Sequence, residues 1–232
     1  MDKMRTILDR QLYAGRIYAK THIFEERVKT AQKNIETMLG RTSKSYVALS
    51  WGKHSVTMAR LVYSVDPSVL FVHWTGPDAN YISNFDQTRD RFLSKWPTNY
   101  LELSEGPLGR LDLAIKEFVG THDVDGVFVG LCAYESRGRR KTLQMSSGDN
   151  IFRYKSGLLR CCPIANWTQD DVAGYLAVHT LPLLNTYHRY GLEARTSVGC
   201  DPGSHAERGI DMVSRSNEEK IRARWREVEG WR

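Results

Sequence analysis

The residues with the clearest capacity for chemistry lie in one short turn. An apolar run ends abruptly at residues 50–55, which read Ser-Trp-Gly-Lys-His-Ser, and a helix-like apolar pattern follows at once. A strand that turns directly into a helix leaves backbone N–H groups unpaired beside the positive end of the helix dipole. Because the turn adds a lysine and two hydroxyl groups to these N–H groups, we predict that it binds phosphate.

Alternating strand and helix patterns surround this turn. Four apolar runs predict strands, at residues 46–50, 69–73, 100–103 and 126–131. Three helical patterns separate them, at residues 55–65, 79–96 and 108–119. Such alternation is typical of an α/β fold in which helices cover both faces of a parallel sheet. Because ligands of these sheets bind beyond the carboxyl ends of the strands, four segments become candidate site segments: 50–55, 73–78, 104–109 and 132–141.

The first forty residues are charged but keep the apolar spacing of helices. Residues 3–39 predict one or two helices that end at Gly40. This segment could cover the sheet, or it could serve as an oligomerisation arm. We predict that the chain is a homo-oligomer.

The pattern changes in the C-terminal part of the chain. Residues 151–160 predict a hairpin, and Thr168 with Asp171 predicts the capped start of a further helix. We interpret residues 183–191 as irregular and the Arg- and Glu-rich residues 204–232 as a helical tail.

Charge and composition limit the partners and the compartment. The formal net charge of +6 suits an anionic partner, either nucleotide phosphates or nucleic acid, although a mildly basic surface would give the same value. The sequence has no apolar run near the roughly 20 residues of a membrane span, and its first residues lack a signal-peptide core. We therefore expect a cytoplasmic protein without membrane contact. Its four cysteines are then thiols or ligands: Cys132, Cys161, Cys162 and Cys200.

Several motifs together resemble one enzyme family. The turn at 50–55 is similar to the pyrophosphate-binding loop (PP-loop) of the ATP pyrophosphatases. Later segments resemble motifs of the phosphoadenosine phosphosulfate (PAPS) reductase family, in the same order, over about residues 45–203. These segments are 66–76, 130–140, 159–176, 181–188 and 196–200. The most specific one contains Trp167-Thr168-x-x-Asp171-Val172.

The resemblance implies a five-stranded parallel Rossmann-like sheet with an adenine nucleotide, such as ATP, across the carboxyl ends of its strands. The residues expected to contact the nucleotide are Leu49, Ser50, Trp51, Gly52, Lys53, His54, Ser55, His73, Thr75, Gly76, Arg137, Arg139 and Arg140. Of these, Lys53, His54 and Arg140 are the catalytic candidates. The chain divides into three predicted parts: an N-terminal helical segment (1–40), a PAPS reductase-like nucleotide-binding domain (41–203) and a helical tail (204–232).

The loop departs from the family pattern. His54 stands where the family has an Asp, Trp51 where Gly is common, and His73 where a second Asp is usual. An Asp in this loop is a natural Mg²⁺ ligand, so its replacement weakens the expectation of metal-dependent phosphate cleavage, although Mg²⁺ stays the expected cofactor. The histidines could contact phosphate, transfer protons or act only as polar filling.

The cysteines depart from the pattern as well. The reductases carry a nucleophilic Cys near the C-terminus, whereas this sequence has no cysteine after Cys200. A [4Fe–4S] cluster would need Cys161, Cys162 and Cys200 together with a fourth ligand, and Gly203 stands at the fourth position. Buried free thiols are the alternative.

The leading hypothesis is an enzyme that cleaves the α–β phosphate bond of ATP and adenylates an acceptor, in sulfur-transfer or nucleic-acid-modification chemistry. Two alternatives stay open: a sulfonucleotide reductase that uses a displaced cysteine, and a non-catalytic protein that binds a nucleotide or a partner protein.

Overall fold

Two helices open the chain. The computed structural model describes residues 6–75, 85–104, 111–143, 150–154 and 156–194. Helix α1 spans Ile7–Tyr18 and begins at a capping box of Thr6 and Asp9, while α2 spans His22–Leu39 and ends at Gly40. The helical prediction for the first forty residues is confirmed over the described part.

A six-stranded sheet forms the centre of the fold. Its strands are β1 Ser45–Leu49, β2 Leu70–Thr75, β3 Tyr100–Ser104, β4 Gly126–Val129, β5 Ile151–Arg153 and β6 Leu159–Cys161. They lie in the order β3-β2-β1-β4-β6-β5. The prediction of five strands is wrong in number, because the hairpin at 151–160 joins the sheet. Strand β6 pairs in parallel with β4, and β5 adds an antiparallel edge to the five parallel strands.

In the described residues, six further α-helices follow the strands. They are α3 Lys53–Val65, α4 Phe85–Lys95, α5 Leu111–His122, α6 Arg137–Leu143, α7 Gln169–His179 and α8 Asn185–Tyr190. Helix α3 begins two residues before the predicted position, so Lys53 and His54 belong to its first turn. The interpretation of 183–191 as irregular is wrong, because α8 lies there. The predicted tail at 204–232 lies outside the described residues, as does the start of the helix predicted at 79–96.

The core has two layers because side chains alternate along each strand. On one face of β1, Val47 and Leu49 pack with apolar residues of α2, α3, α4 and α7. On the other face, Tyr46 packs with Trp74 and with Phe118 of α5. Helices therefore cover both faces of the sheet, as the alternating pattern predicts.

Helices α1 and α7 cross at close range. A Cβ atom on Gly15 would lie only 2.6 Å from the carbonyl carbon of Ala173, so glycine permits this approach. Nearby, the Tyr18 hydroxyl donates to Asp171 Oδ1 at 2.8 Å. Asp171 also closes the capping box with Thr168, which confirms the predicted helix start. Among the described residues, no helix is long and apolar enough to cross a membrane.

Candidate functional site

The strand order places the candidate site at one crevice. Strands β1 and β4 are neighbours, but the chain continues from β1 to one side of the sheet and from β4 to the other. At such a switch point the segments that follow the two strands diverge and leave room for a ligand. The 50–55 turn follows β1, and residues 130–135 follow β4.

The two segments touch at Gly130. A Cβ atom there would lie 2.7 Å from the carbonyl oxygen of His54 and 3.0 Å from the Cα of Ser55. Both neighbours are backbone atoms, which cannot rotate away. The absence of a side chain at Gly130 is therefore what brings the end of β4 against the first turn of α3.

The turn itself is closed by a hydrogen bond between its ends. The Ser50 N–H donates to the Ser55 hydroxyl oxygen at 2.9 Å, and Gly52 begins α3 without a side-chain cap. The Ser55 hydroxyl still has its own hydrogen to donate. The first turn of a 13-residue helix thus begins at the switch point, as a phosphate site requires.

Trp51 fixes the turn to the core. Its φ of 58° is in the left-handed region that favours glycine. Its indole is completely buried. It packs within about 6 Å of four other rings, those of His73, Phe85, Phe92 and Tyr100. The side chain of Trp51 is therefore placed to anchor the turn, and only its backbone is left to face a ligand.

Lys53 is held by the C-terminal part of the fold. It is 5% exposed, and its Nζ donates to the carbonyl oxygen of Ala194 at 3.0 Å. Its backbone N–H donates to the Tyr187 hydroxyl of α8 at 3.0 Å, and its ammonium lies 5.4 Å from the centre of the same ring. Sequence reasoning missed Tyr187, since nothing local links it to a residue 134 positions earlier.

His54 belongs to a polar cluster with residues that follow β4. Its Nδ1 lies 3.2 Å from Oε1 of Glu135, and its Nε2 lies 2.7 Å from the Tyr134 hydroxyl. Arg139, one of the predicted site residues, pairs with the same Glu135 carboxylate. Sequence reasoning gave no role to Tyr134 or Glu135. Their position in the motif-bearing segment 130–140 was the available signal.

His73 lies deeper, beside β1. Its Nδ1 is 2.9 Å from the Leu49 carbonyl oxygen, so Nδ1 carries the hydrogen and donates it. Burial lowers the pKa of His73 below its ordinary value, which keeps the ring neutral. Thr75 donates to the Leu103 carbonyl oxygen across the β2–β3 pair. His73 and Thr75, both expected to contact the nucleotide, thus make hydrogen bonds within the sheet. Gly76 lies outside the described residues.

The arginines of α6 divide into two kinds. Arg137 and Arg140 are exposed, while Arg139 is half-buried against Glu135. The structure therefore brings only Arg139 to the His54 cluster. Arg137 at the start of α6 and Arg140 in its last turn are both exposed.

The described cysteines are buried in separate places. Cys161 packs in the core beneath α2, whereas Cys162 packs with Leu143 and Ala165 in a different cluster. Burial raises the pKa of Cys162 to about 11 and raises that of Cys132 as well. Adjacent thiols that pack in different parts of the apolar core do not fit as ligands of one iron–sulfur cluster. Protonated thiols are also poor nucleophiles.

Cys200 lies outside the described residues. Within those that the structure describes, His, Cys, Asp and Glu side chains form no group of three that could hold a metal ion.

Comparisons with known proteins find one similar family and several similar folds. Residues 111–206 match the model of the phosphoadenosine phosphosulfate reductase domain. The PAPS reductase of Candida auris, solved as a phosphate complex, is 11% identical with a TM-score of 0.53, over 76% of this chain and 93% of that one. Yeast FAD synthetase, solved in complex with FAD, is 12% identical with a TM-score of 0.57, over 83% of this chain and 72% of that one.

A third structure is the U34-tRNA thiolase NcsA of Methanococcus maripaludis with its [4Fe–4S] cluster. It is 13% identical with a TM-score of 0.49, over 69% of this chain and 65% of that one. No curated protein sequence matches the chain.

At these identities the two structures with the higher TM-scores show a shared fold. The family match begins at α5 and covers the segment after β4 with its Tyr134, Glu135 and Arg139, although it does not reach the 50–55 turn. The similarity to the phosphoadenosine phosphosulfate reductase domain thus covers residues 111–206, which is less than half of the chain.

Proposed function

We propose that the chain is an enzyme that binds ATP at the 50–55 turn, cleaves its α–β phosphate bond and transfers AMP to an acceptor. The observation that carries this proposal is the convergence at the switch point. There the first turn of α3, a buried lysine and the polar segment after β4 meet between β1 and β4. Parallel sheets bind nucleotides at this place, and helix N-termini bind phosphate.

The charges near the turn suit phosphate. Lys53 contributes its charge from a buried position, where the lower dielectric strengthens its attraction to an anion. The exposed Arg137 and Arg140 offer forked guanidinium groups that can bind phosphate oxygens in pairs. Mg²⁺ usually reaches such sites bound to the phosphates of the nucleotide, and it is the cofactor that we propose here.

The neighbours with the same fold are consistent with this ligand class. One was solved with phosphate and the other with FAD, which contains a pyrophosphate and an adenine. The net charge of +6 favours an anionic acceptor, such as nucleic acid, over a neutral one. A homo-oligomer stays a prediction.

The reductase alternative meets an obstacle in the described thiols. Reduction of a sulfonucleotide needs an accessible thiolate, and Cys161 and Cys162 are both fully buried. The third interpretation, a protein that binds nucleotide without cleaving it, is separated from the proposal by experiment.

The test measures ATP binding by calorimetry and pyrophosphate release from MgATP. Arg140→Ala should weaken ATP binding about tenfold, since a charged hydrogen bond to phosphate contributes roughly 1.5–3 kcal/mol and exposure reduces it. Lys33→Ala, which removes an exposed charge from α2, is the matched control and should bind as the parent chain does.

Binding without pyrophosphate release would favour the non-catalytic interpretation. No ATP binding at millimolar concentration, or equal binding by the two variants, would contradict the proposal.

A further inference from the structure

The polar cluster around His54 has the order of a proton relay. The Tyr134 hydroxyl, the His54 ring and the Glu135 carboxylate are joined in sequence, by distances of 2.7 Å at Nε2 and 3.2 Å at Nδ1. We propose that Tyr134 is the group that accepts the proton of the acceptor in AMP transfer, with His54 and Glu135 as positioning residues behind it. This inference rests on the proposed function.

The direction of each hydrogen bond follows from the Glu135 carboxylate. An ionised carboxylate only accepts hydrogen bonds, so Nδ1 of His54 must carry the hydrogen that lies between them. In the neutral ring, Nε2 then has a free lone pair and accepts the hydrogen of the Tyr134 hydroxyl. A phenol oxygen carries two lone pairs, so it is able to accept a proton from another group while it donates its own hydrogen.

The cluster is held firmly enough to keep this order. His54 is in the first turn of α3, and its side chain is 8% exposed, while that of Glu135 is 9% exposed. Arg139 pairs with the other oxygen of the Glu135 carboxylate. The Tyr134 ring stands edge-on to the imidazole, with 5.6 Å between ring centres, and it is only partly buried.

The same arrangement explains why His54 can replace an Asp in the loop. A neutral imidazole fixed on one side by a carboxylate is a general base near neutral pH, as in nucleophile–base–carboxylate triads. Tyr134, bonded to the buried His54, belongs to the segment that follows the carboxyl end of β4.

In the proposed step, each bond that forms is matched by one that breaks. The acceptor atom forms a bond to the α-phosphorus, and the bond from that phosphorus to the β-phosphate oxygen breaks, so pyrophosphate leaves with the bonding electrons. The acceptor's proton passes to the Tyr134 oxygen while the phenol's own proton passes to Nε2 of His54. The resulting imidazolium is stabilised by the Glu135 carboxylate until it releases the proton to solvent.

The first experiment tests the order of hydrogen bonds without any nucleotide. NMR of the full chain with ¹⁵N-labelled histidine reports which ring nitrogen of His54 carries hydrogen. The expected result is a protonated Nδ1 and an unprotonated Nε2 in the neutral ring. A hydrogen on Nε2 would overturn the proposal, because His54 could not then accept a proton from Tyr134.

The second experiment measures pyrophosphate release from MgATP with water as the acceptor. Tyr134→Phe keeps the ring, and it should lower kcat about 100-fold or more while KM changes less than about threefold. Glu135→Gln should lower kcat as well. The double variant should be no slower than Tyr134→Phe alone, because residues that act as a unit are not additive. Tyr154→Phe, on the distant β5–β6 hairpin, is the control and should leave kcat unchanged.

The outcomes separate the two proposals. If the parent chain releases pyrophosphate and Tyr134→Phe retains its kcat, the relay is wrong and the proposed function stands. If the parent chain binds ATP but releases no pyrophosphate, both proposals fail. Additive losses in the double variant would indicate separate structural roles and would also overturn the relay.

Discussion

Replacement of Gly130 by alanine tests the geometry of the switch point directly. The added Cβ would lie 2.7 Å from the His54 carbonyl oxygen, whereas ordinary contacts begin near 3.4 Å, so β4 and α3 must separate by about 0.7 Å. Both obstacles are backbone, and overpacking of this kind costs about 1–3 kcal/mol. We expect the free energy of unfolding, from urea titration, to fall by that amount. ATP binding should weaken because the site segments move apart.

A second glycine supplies the control. Gly120 lies in α5, and a Cβ there meets nothing within 4 Å, so Gly120→Ala should stabilise the chain by up to about 1 kcal/mol through helix propensity alone. The two substitutions are chemically identical and should act in opposite directions. The free energy of unfolding of Gly130→Ala could instead lie within about 0.5 kcal/mol of that of the parent chain, with equal ATP binding. The close approach of β4 to α3 would then not be a feature of the molecule.

Two further predictions concern the surroundings of the site. Tyr187→Phe leaves the buried N–H of Lys53 without its acceptor, so the free energy of unfolding from urea titration should fall by about 1–3 kcal/mol. Tyr154→Phe is the control, since Tyr154 is 43% exposed, and it should lower the same free energy by less than about 1 kcal/mol. Equal losses of unfolding free energy in the two variants would mean that the buried hydrogen bond stabilises the fold no more than an exposed one. Burial lowers the pKa of His179 from 6.5 to about 4, so the unfolded chain takes up a proton that the folded chain does not, and stability is lost as pH falls from 6.5 toward 4. His179→Gln should reduce this loss, measured as the slope of unfolding free energy against pH, and an unchanged slope would argue against a partly buried, neutral His179.

Local patterns predicted the main elements because their causes are local. The capping box of Thr168 and Asp171 and the helix end at Gly40 depend on residues within one turn of each other. The alternation of strands and helices likewise predicted a parallel sheet covered on both faces. The same alternation placed the 50–55 turn at the carboxyl end of β1.

What the sequence did not predict depends on contacts between distant segments. The β5–β6 hairpin is a local motif, but its pairing with β4 is decided only when the sheet assembles, so the strand number was wrong. Tyr187 and Lys53 meet across 134 positions, and His54 and Tyr134 across 80. Spacing in the chain carries no sign of such pairs. The burial of the Trp51 indole also depends on rings contributed by three other elements.

The crossing of α1 and α7 has a consequence for how the chain is made. Gly15 fits against a backbone that is synthesised about 160 residues later, at Ala173 and Gly174. At roughly 5–20 residues per second, α1 waits on the order of ten to thirty seconds for its packing partner to emerge from the ribosome. During that interval the face of α1 that holds Leu8 has no α7 to cover it. Helix α1 can therefore dock against α7 only late in synthesis, and until then its apolar face is available for chaperone binding.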